Sequence, residues 1–191
     1  MKKSFTARRL VLDAMLIAVY VLLGFWKIPI GNLLRVNLAS FSVIVCAVAF
    51  GPIDGLIVGF MGEFLSQILG PYGMTPTTVL WAMPEAVRGL TLGLMLLPLA
   101  GKSLHPNKMS RWALVWYLFA CTVTGLIASL VNTYALYVDS KMFGYYNDYM
   151  VFGVLLVRLS MAFLMSGTFG YIAQHIVHAL QANKIIKEKK Q

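Results

Sequence analysis

Apolar runs separated by short clusters of glycine, proline and polar residues organise this chain. The runs fall at about 10–30, 38–50, 53–69, 78–99, 112–138 and 149–180. A helix needs about 20 largely apolar residues to cross a bilayer, or fewer where protein neighbours shield it. Each run is therefore read as a membrane-spanning helix. Pro29 and Gly31 mark the end of the first, and Gly70-Pro71-Tyr72-Gly73 follows the third. Gly51-Pro52 divides the second from the third, because Pro52 cannot continue a helix without losing a backbone hydrogen bond. The expected junction is a two-helix hairpin rather than one long span. Pro84 sits inside the fourth run, and the sixth is long enough for its last turns to emerge as the sequence turns polar after His178. The expected fold class is an all-α integral membrane protein, a bundle of six transmembrane helices forming a single domain over residues 1–191.

Composition agrees with a lipid-embedded chain. Hydrophobic residues make up 59% and charged residues 12%, against roughly 25% charged in soluble domains. The net charge of +9 raises nucleic acid as a partner. The basic residues gather at the ends and in one loop, with no stripe of interleaved aromatics, so that partner is set aside. Lys2, Lys3, Arg8 and Arg9, then Lys102, Lys108 and Arg111, then Lys184, Lys187, Lys189 and Lys190 all fall on one side of the expected bundle. The other side carries only Arg35 and Lys141, with Lys27 near it. The bias places both termini in the cytoplasm of a multi-pass protein of the cell (plasma) membrane. The first run lacks a convincing cleavage site and is read as a retained helix.

Charges inside the runs are the candidate chemistry. Asp13, Glu63, Glu85, Arg88 and Arg158 are costly in lipid and are expected to face the bundle interior or a wet cavity. Glu85 and Arg88 lie three apart on one helical face and can pair. With Glu63 and Arg158 they fall at similar depth, as one polar layer that either fixes helix packing or lines a ligand pocket. The stretch Thr75-Pro76-Thr77-Thr78 leading to Trp81 offers hydroxyls and an aromatic plane, and Thr77 or Thr78 is positioned to cap the fourth helix. Arg35, Asn37 and Tyr72 fall in or beside the outer loops. Asn132, Tyr134 and Tyr137 add polar tips to the outer half of the fifth helix. The segment 139–148, with Tyr145 and Tyr146, suits either a lid over an organic ligand or an aromatic belt at the headgroups. The candidate substrate-binding residues are therefore Arg35, Asn37, Tyr72, Thr75, Thr77, Thr78, Trp81, Glu85, Arg88, Asn132, Tyr137, Tyr145, Tyr146 and Arg158.

No catalytic or metal constellation stands out. His175 and His178 have no third ligand nearby in sequence, and Cys46 and Cys121 sit inside apolar runs as small hydrophobes. Gly101-Lys102-Ser103 resembles the tail of a P-loop, but the glycine required five residues before Gly101 is replaced by Leu96. No enzyme activity, intrinsic cofactor or metal is expected. Uphill transport would need an ion gradient or another subunit.

Ala14-xxx-Ala18 in the first helix, and Ala49-Phe50-Gly51-Pro52-Ile53-Asp54-Gly55 with Gly59 and Gly62 beyond it, complete the pattern. With small size and six helices, these features resemble the substrate-binding S components of energy-coupling factor (ECF) vitamin transporters over nearly the whole chain. The resemblance implies high-affinity capture of a vitamin between outer loops and outer helix halves. It implies docking through Ala14 and Ala18 onto a membrane scaffold (T) subunit, energised by two cytoplasmic ATPase subunits. It also implies that the S component topples in the bilayer to deliver the vitamin inward. Cobalamin is the first expectation for the vitamin, with folate or another flat vitamin as the alternative. A stand-alone secondary transporter, using the intramembrane charges for coupling, is the competing class.

Overall fold

A computed structural model of the chain describes residues 7–30, 34–71, 73–99 and 109–183, with the backbone alone described at 27–30 and 34–36. Gly31, Tyr72, Gly101-Lys102-Ser103 and the terminal lysines lie outside the described residues. The helices are α1 (Ala7–Gly24), α2 (Ser40–Ala49), α3 (Pro52–Ile68), α4 (Thr78–Met95), α5 (Arg111–Met142) and α6 (Leu155–Ala182). A 3-10 turn, Leu97–Leu99, follows α4, and a π turn, Tyr149–Gly153, precedes α6.

The first expected span is shorter than its apolar run. α1 stops at Gly24, and Lys27–Ile30 (β1) pairs antiparallel with Leu34–Asn37 (β2), Pro29 lying opposite Arg35. The residue before a proline is pushed out of the helical region. Ile28, Ile30, Leu34 and Val36 also alternate with a period of two, which suits a pleated ribbon. The fifth expected helix is too short in the other direction: α5 continues through Asp139 and Ser140 to Met142, so the expected loop 139–148 begins only at Phe143.

The second expected helix is present and short. α2 has ten residues and rises about 15 Å, half of a hydrocarbon core of about 30 Å. It is buried along nearly its whole length and wrapped by α1, α3, α4 and α6. α5 and the stretch Tyr149–Ala182 are long and apolar enough to cross a membrane on composition alone. α1, α3 and α4, at 17–18 residues, sit at the lower limit for a span. Large apolar side chains point outward along the bundle, Trp112 at 83% and Leu156 at 81% exposure among them.

The helices close around α2 through small residues. Gly51 has φ 111°, a left-handed conformation that glycine adopts without a Cβ penalty, and Pro52 starts α3 at its first turn. α3 and α4 then run backbone against backbone. A Cβ on Gly55 would lie 2.8 Å from the Gly89 carbonyl oxygen, and one on Gly59 would meet the Glu85 carbonyl. This contact sets the depth of Glu85 opposite α3. At the end of the bundle that holds residues 7–9, α1 is tied to the α2–α3 hairpin. Arg9 pairs with Asp54 and donates to the Phe50 carbonyl at 3.3 Å. Asp13, 2% exposed, accepts from the Cys46 thiol at 3.7 Å.

Candidate functional site

The short α2 leaves the space beyond its N-terminus to side chains of α3 to α6. A cavity of about 370 Å³ occupies it, on the β-hairpin side of the bundle. Asn37 and Ser40 form its floor, and α3 contributes Glu63 and Gln67. α4 contributes Trp81, Pro84, Glu85 and Arg88. The facing wall is Ala128, Ser129 and Asn132 of α5, with Arg158, Met161, Ala162, Met165, Ser166 and Phe169 of α6.

Each polar wall is held in place. Asn37 accepts the Ala39 N–H at 2.9 Å, which steadies the first turn of α2. The Ser40 hydroxyl donates to Glu85 Oε1 at 2.8 Å, so a carboxylate faces the partial positive charge at the α2 N-terminus. Arg88 Nη1 lies 3.6 Å from the same oxygen. Glu63 accepts from the Tyr20 hydroxyl at 2.5 Å and from Gln67 Nε2 at 2.6 Å. Arg158 donates to the carbonyls of Met150 at 2.7 Å and Val151 at 3.5 Å. The expected polar layer of Glu63, Glu85, Arg88 and Arg158 thus surrounds one cavity, but Arg158 is bonded to backbone carbonyls and not to either glutamate.

The rim above the cavity is a separate hydrogen-bonded collar. Thr78 accepts the Thr75 N–H at 2.8 Å, and the Thr75 hydroxyl lies 3.2 Å from that of Thr77 and 3.1 Å from that of Thr78. Thr77 is the N-cap residue of α4, yet its side chain makes no capping bond. It donates instead to Asp139 at the end of α5, which also accepts from Tyr145. The capping role expected of Thr77 or Thr78 is therefore replaced by a tie between α4 and α5. Tyr137 and Tyr146 meet edge to face at 5.6 Å, and Lys141 Nζ lies 3.8 Å from the Tyr146 ring centre. The Tyr146 hydroxyl donates to Asp148, and that bond pushes the phenol from 10.0 up to about 12.

Of the residues singled out in the sequence, Asn37, Trp81, Glu85, Arg88, Asn132 and Arg158 line the cavity. Thr75, Thr77, Thr78, Tyr137, Tyr145 and Tyr146 belong to the rim and do not line it. Arg35 is placed by its backbone in β2. Ser40, Gln67, Ser129, Met161, Met165, Ser166 and Phe169 were not anticipated. A serine, methionine or phenylalanine in an apolar run carries no sign of facing a cavity. Ala14 and Ala18 lie on the exposed face of α1, opposite buried Asp13 and Tyr20.

An apolar bundle that shelters charged and amide groups around a cavity of small-molecule size defines a ligand-binding membrane protein. Residues 8–184 match the family described as ECF transporter, substrate-specific component, and the chain belongs to that family. Its fold is similar to the S component of a bacterial ECF transporter, with TM-score 0.52 and 19% identity over 93% of this chain and 95% of that one. It is also similar to the S component for biotin from an ECF-type ABC transporter, with TM-score 0.60 and 16% identity over 95% of each chain. No curated protein sequence matches the chain. The family supplies the substrate-binding component of transporters and is not itself catalytic.

Proposed function

We propose that this chain captures a vitamin from outside the cell and hands it inward as the S component of an ATP-driven importer in the plasma membrane. The observation that carries this reading is the cavity beyond α2, where four charged side chains converge in an otherwise apolar bundle. Burying charge in lipid is costly, and a polar ligand gives those groups a use. Arg8, Arg9 and Arg111 mark the opposite end of the bundle. The positive-inside bias therefore puts both termini in the cytoplasm and the cavity toward the outside.

Energy is assigned to partners: a membrane scaffold (T) subunit and two cytoplasmic ATPase subunits. The exposed face of α1 bearing Ala14 and Ala18 is the docking surface in this reading, since small residues let a partner helix approach closely. The cavity of about 370 Å³ is at the small end of the roughly 300–1,000 Å³ range of ligand pockets. It favours a compact, flat vitamin. A corrinoid macrocycle with its nucleotide arm overfills it, so the cavity supports the folate-or-other-flat-vitamin alternative over cobalamin.

The test is binding and uptake with the full chain. Purified alone in detergent, it should bind one member of a vitamin panel. In proteoliposomes it should accumulate that vitamin only with the scaffold and ATPase subunits and ATP. Gradient-driven uptake by the lone chain would favour a secondary transporter, and binding of none of the panel would remove the capture role.

A further inference from the structure

The charges around the cavity are equal in number, two carboxylates and two guanidiniums, but they are met in different ways. Glu85 and Arg88 face each other at 3.6 Å. Glu63 is held by Tyr20 and Gln67. Arg158 has no carboxylate within 4.0 Å among the described residues. Its bonds run to two backbone carbonyls, of Met150 and Val151. These are neutral acceptors. They orient the guanidinium but do not cancel its charge, and a guanidinium has further N–H donors to give.

The surroundings of Arg158 sharpen the point. Met161, Ala162, Met165 and Phe169 follow it along the α6 wall, with Ala128 across on α5. These side chains form an apolar strip against which the body of a ligand can lie, beside the polar Ser129, Asn132 and Ser166, while both carboxylates stand on α3 and α4. Arg158 is half-buried at this wall, and its remaining N–H donors are free to meet an anionic group of a ligand. The planar fork of arginine matches the two oxygens of a carboxylate.

We infer that the ligand carries a carboxylate and that Arg158 is the residue that selects it, the apolar body lying along α6 and the more polar end reaching Ser40, Glu85 and Arg88. This rests on the vitamin-capture reading above and names the ligand class within it.

The unaltered full-length chain in detergent is titrated with biotin and pantothenate, each beside its methyl ester, and with folate beside its dimethyl ester. Riboflavin serves as a neutral probe and thiamine as a cationic one. One acid should bind, and its ester should bind about 30-fold more weakly or worse, the loss expected when a buried charge pair is broken. Arg158→Met should remove the preference for acid over ester, and Arg158→Lys should keep part of it. Equal binding of acid and ester overturns the assignment. So does an acid preference that survives Arg158→Met. Tight binding of riboflavin or thiamine in place of any acid overturns it while leaving vitamin capture standing. Binding of none of these probes, nor of cobalamin or pyridoxine added to the panel, overturns both. Even where both variants fail to fold, the acid–ester comparison on the unaltered chain still overturns the proposal if acid and ester bind equally.

Discussion

Removing one oxygen from Tyr20 tests how firmly α1, the proposed docking helix, is tied to the cavity. Tyr20 is fully buried, and its hydroxyl donates to Glu63 Oε2 at 2.5 Å. Hydrogen bonds to charged groups contribute about 1.5–3 kcal/mol net. In Tyr20→Phe the ring stays against Gly62, where a Cβ would lie 2.6 Å from Tyr20 Cγ, so the packing is unchanged. Gln67 still donates to the other oxygen of Glu63, at 2.6 Å. That remaining bond holds the cost to the lower part of the range, about 1.5–2 kcal/mol. With the scaling of domains of 150–250 residues, the midpoint of unfolding should fall by about 3–8 °C. The assay is thermal unfolding in detergent of the unaltered chain, Tyr20→Phe, Glu63→Gln and the double variant. The two single changes should couple by about 1 kcal/mol. An unchanged midpoint in Tyr20→Phe, or an equal loss in the Glu63→Gln background, refutes the reasoning.

Replacing Ala14 and Ala18 together by Trp should abolish ATP-driven uptake and leave vitamin affinity unchanged, measured by proteoliposome transport and equilibrium binding. Equal loss of both would place α1 in the binding fold rather than at the docking surface. Gly89→Leu should lower stability by about 1–3 kcal/mol or more and weaken ligand binding, because its Cβ meets the Gly55 carbonyl and parts α3 from α4. Gly167→Ala, whose Cβ meets only a Thr122 methyl at 3.5 Å, should be tolerated in the same unfolding assay. Spectroscopic titration of the tyrosines should show Tyr146 ionising at about 12, and Asp148→Asn should bring it back toward 10.0. The raised value means that the Tyr146–Asp148 bond contributes its full stability below pH 10.0 and loses it as the pH rises through about 12.

Helix order was legible because glycine and proline punctuate the apolar runs, as Gly51-Pro52 does between α2 and α3. The hairpin Lys27–Asn37 was not. Its alternating Ile28 and Ile30 read as the end of one apolar run, and Leu34 and Val36 as part of the loop that follows. The brevity of α2 was visible in the run 38–50, but apolarity marks burial and does not measure how much of the bilayer a helix crosses. Glu85, Arg88 and Arg158 stood out because charge in a lipid-facing position is costly. Ser40, Ser129, Met161 and Met165 did not, because their facing depends on how each helix is rotated in the bundle. The rim hydroxyls misled in an instructive way. Thr75, Thr77 and Thr78 satisfy one another and Asp139, so polar residues near a cavity mouth can be fully committed to holding it together.

Labelling of cysteines in intact cells tests the outward-facing cavity most directly. Cys46 and Cys121 are buried and free, so they give little background. Phe143, 50% exposed on the cavity side of the bundle, is changed to Cys in one variant, and Asn183, at the opposite end, in another. A membrane-impermeant thiol reagent should modify Phe143→Cys on intact cells and Asn183→Cys only after the cells are opened. The reverse pattern would turn the cavity toward the cytoplasm and contradict capture from outside.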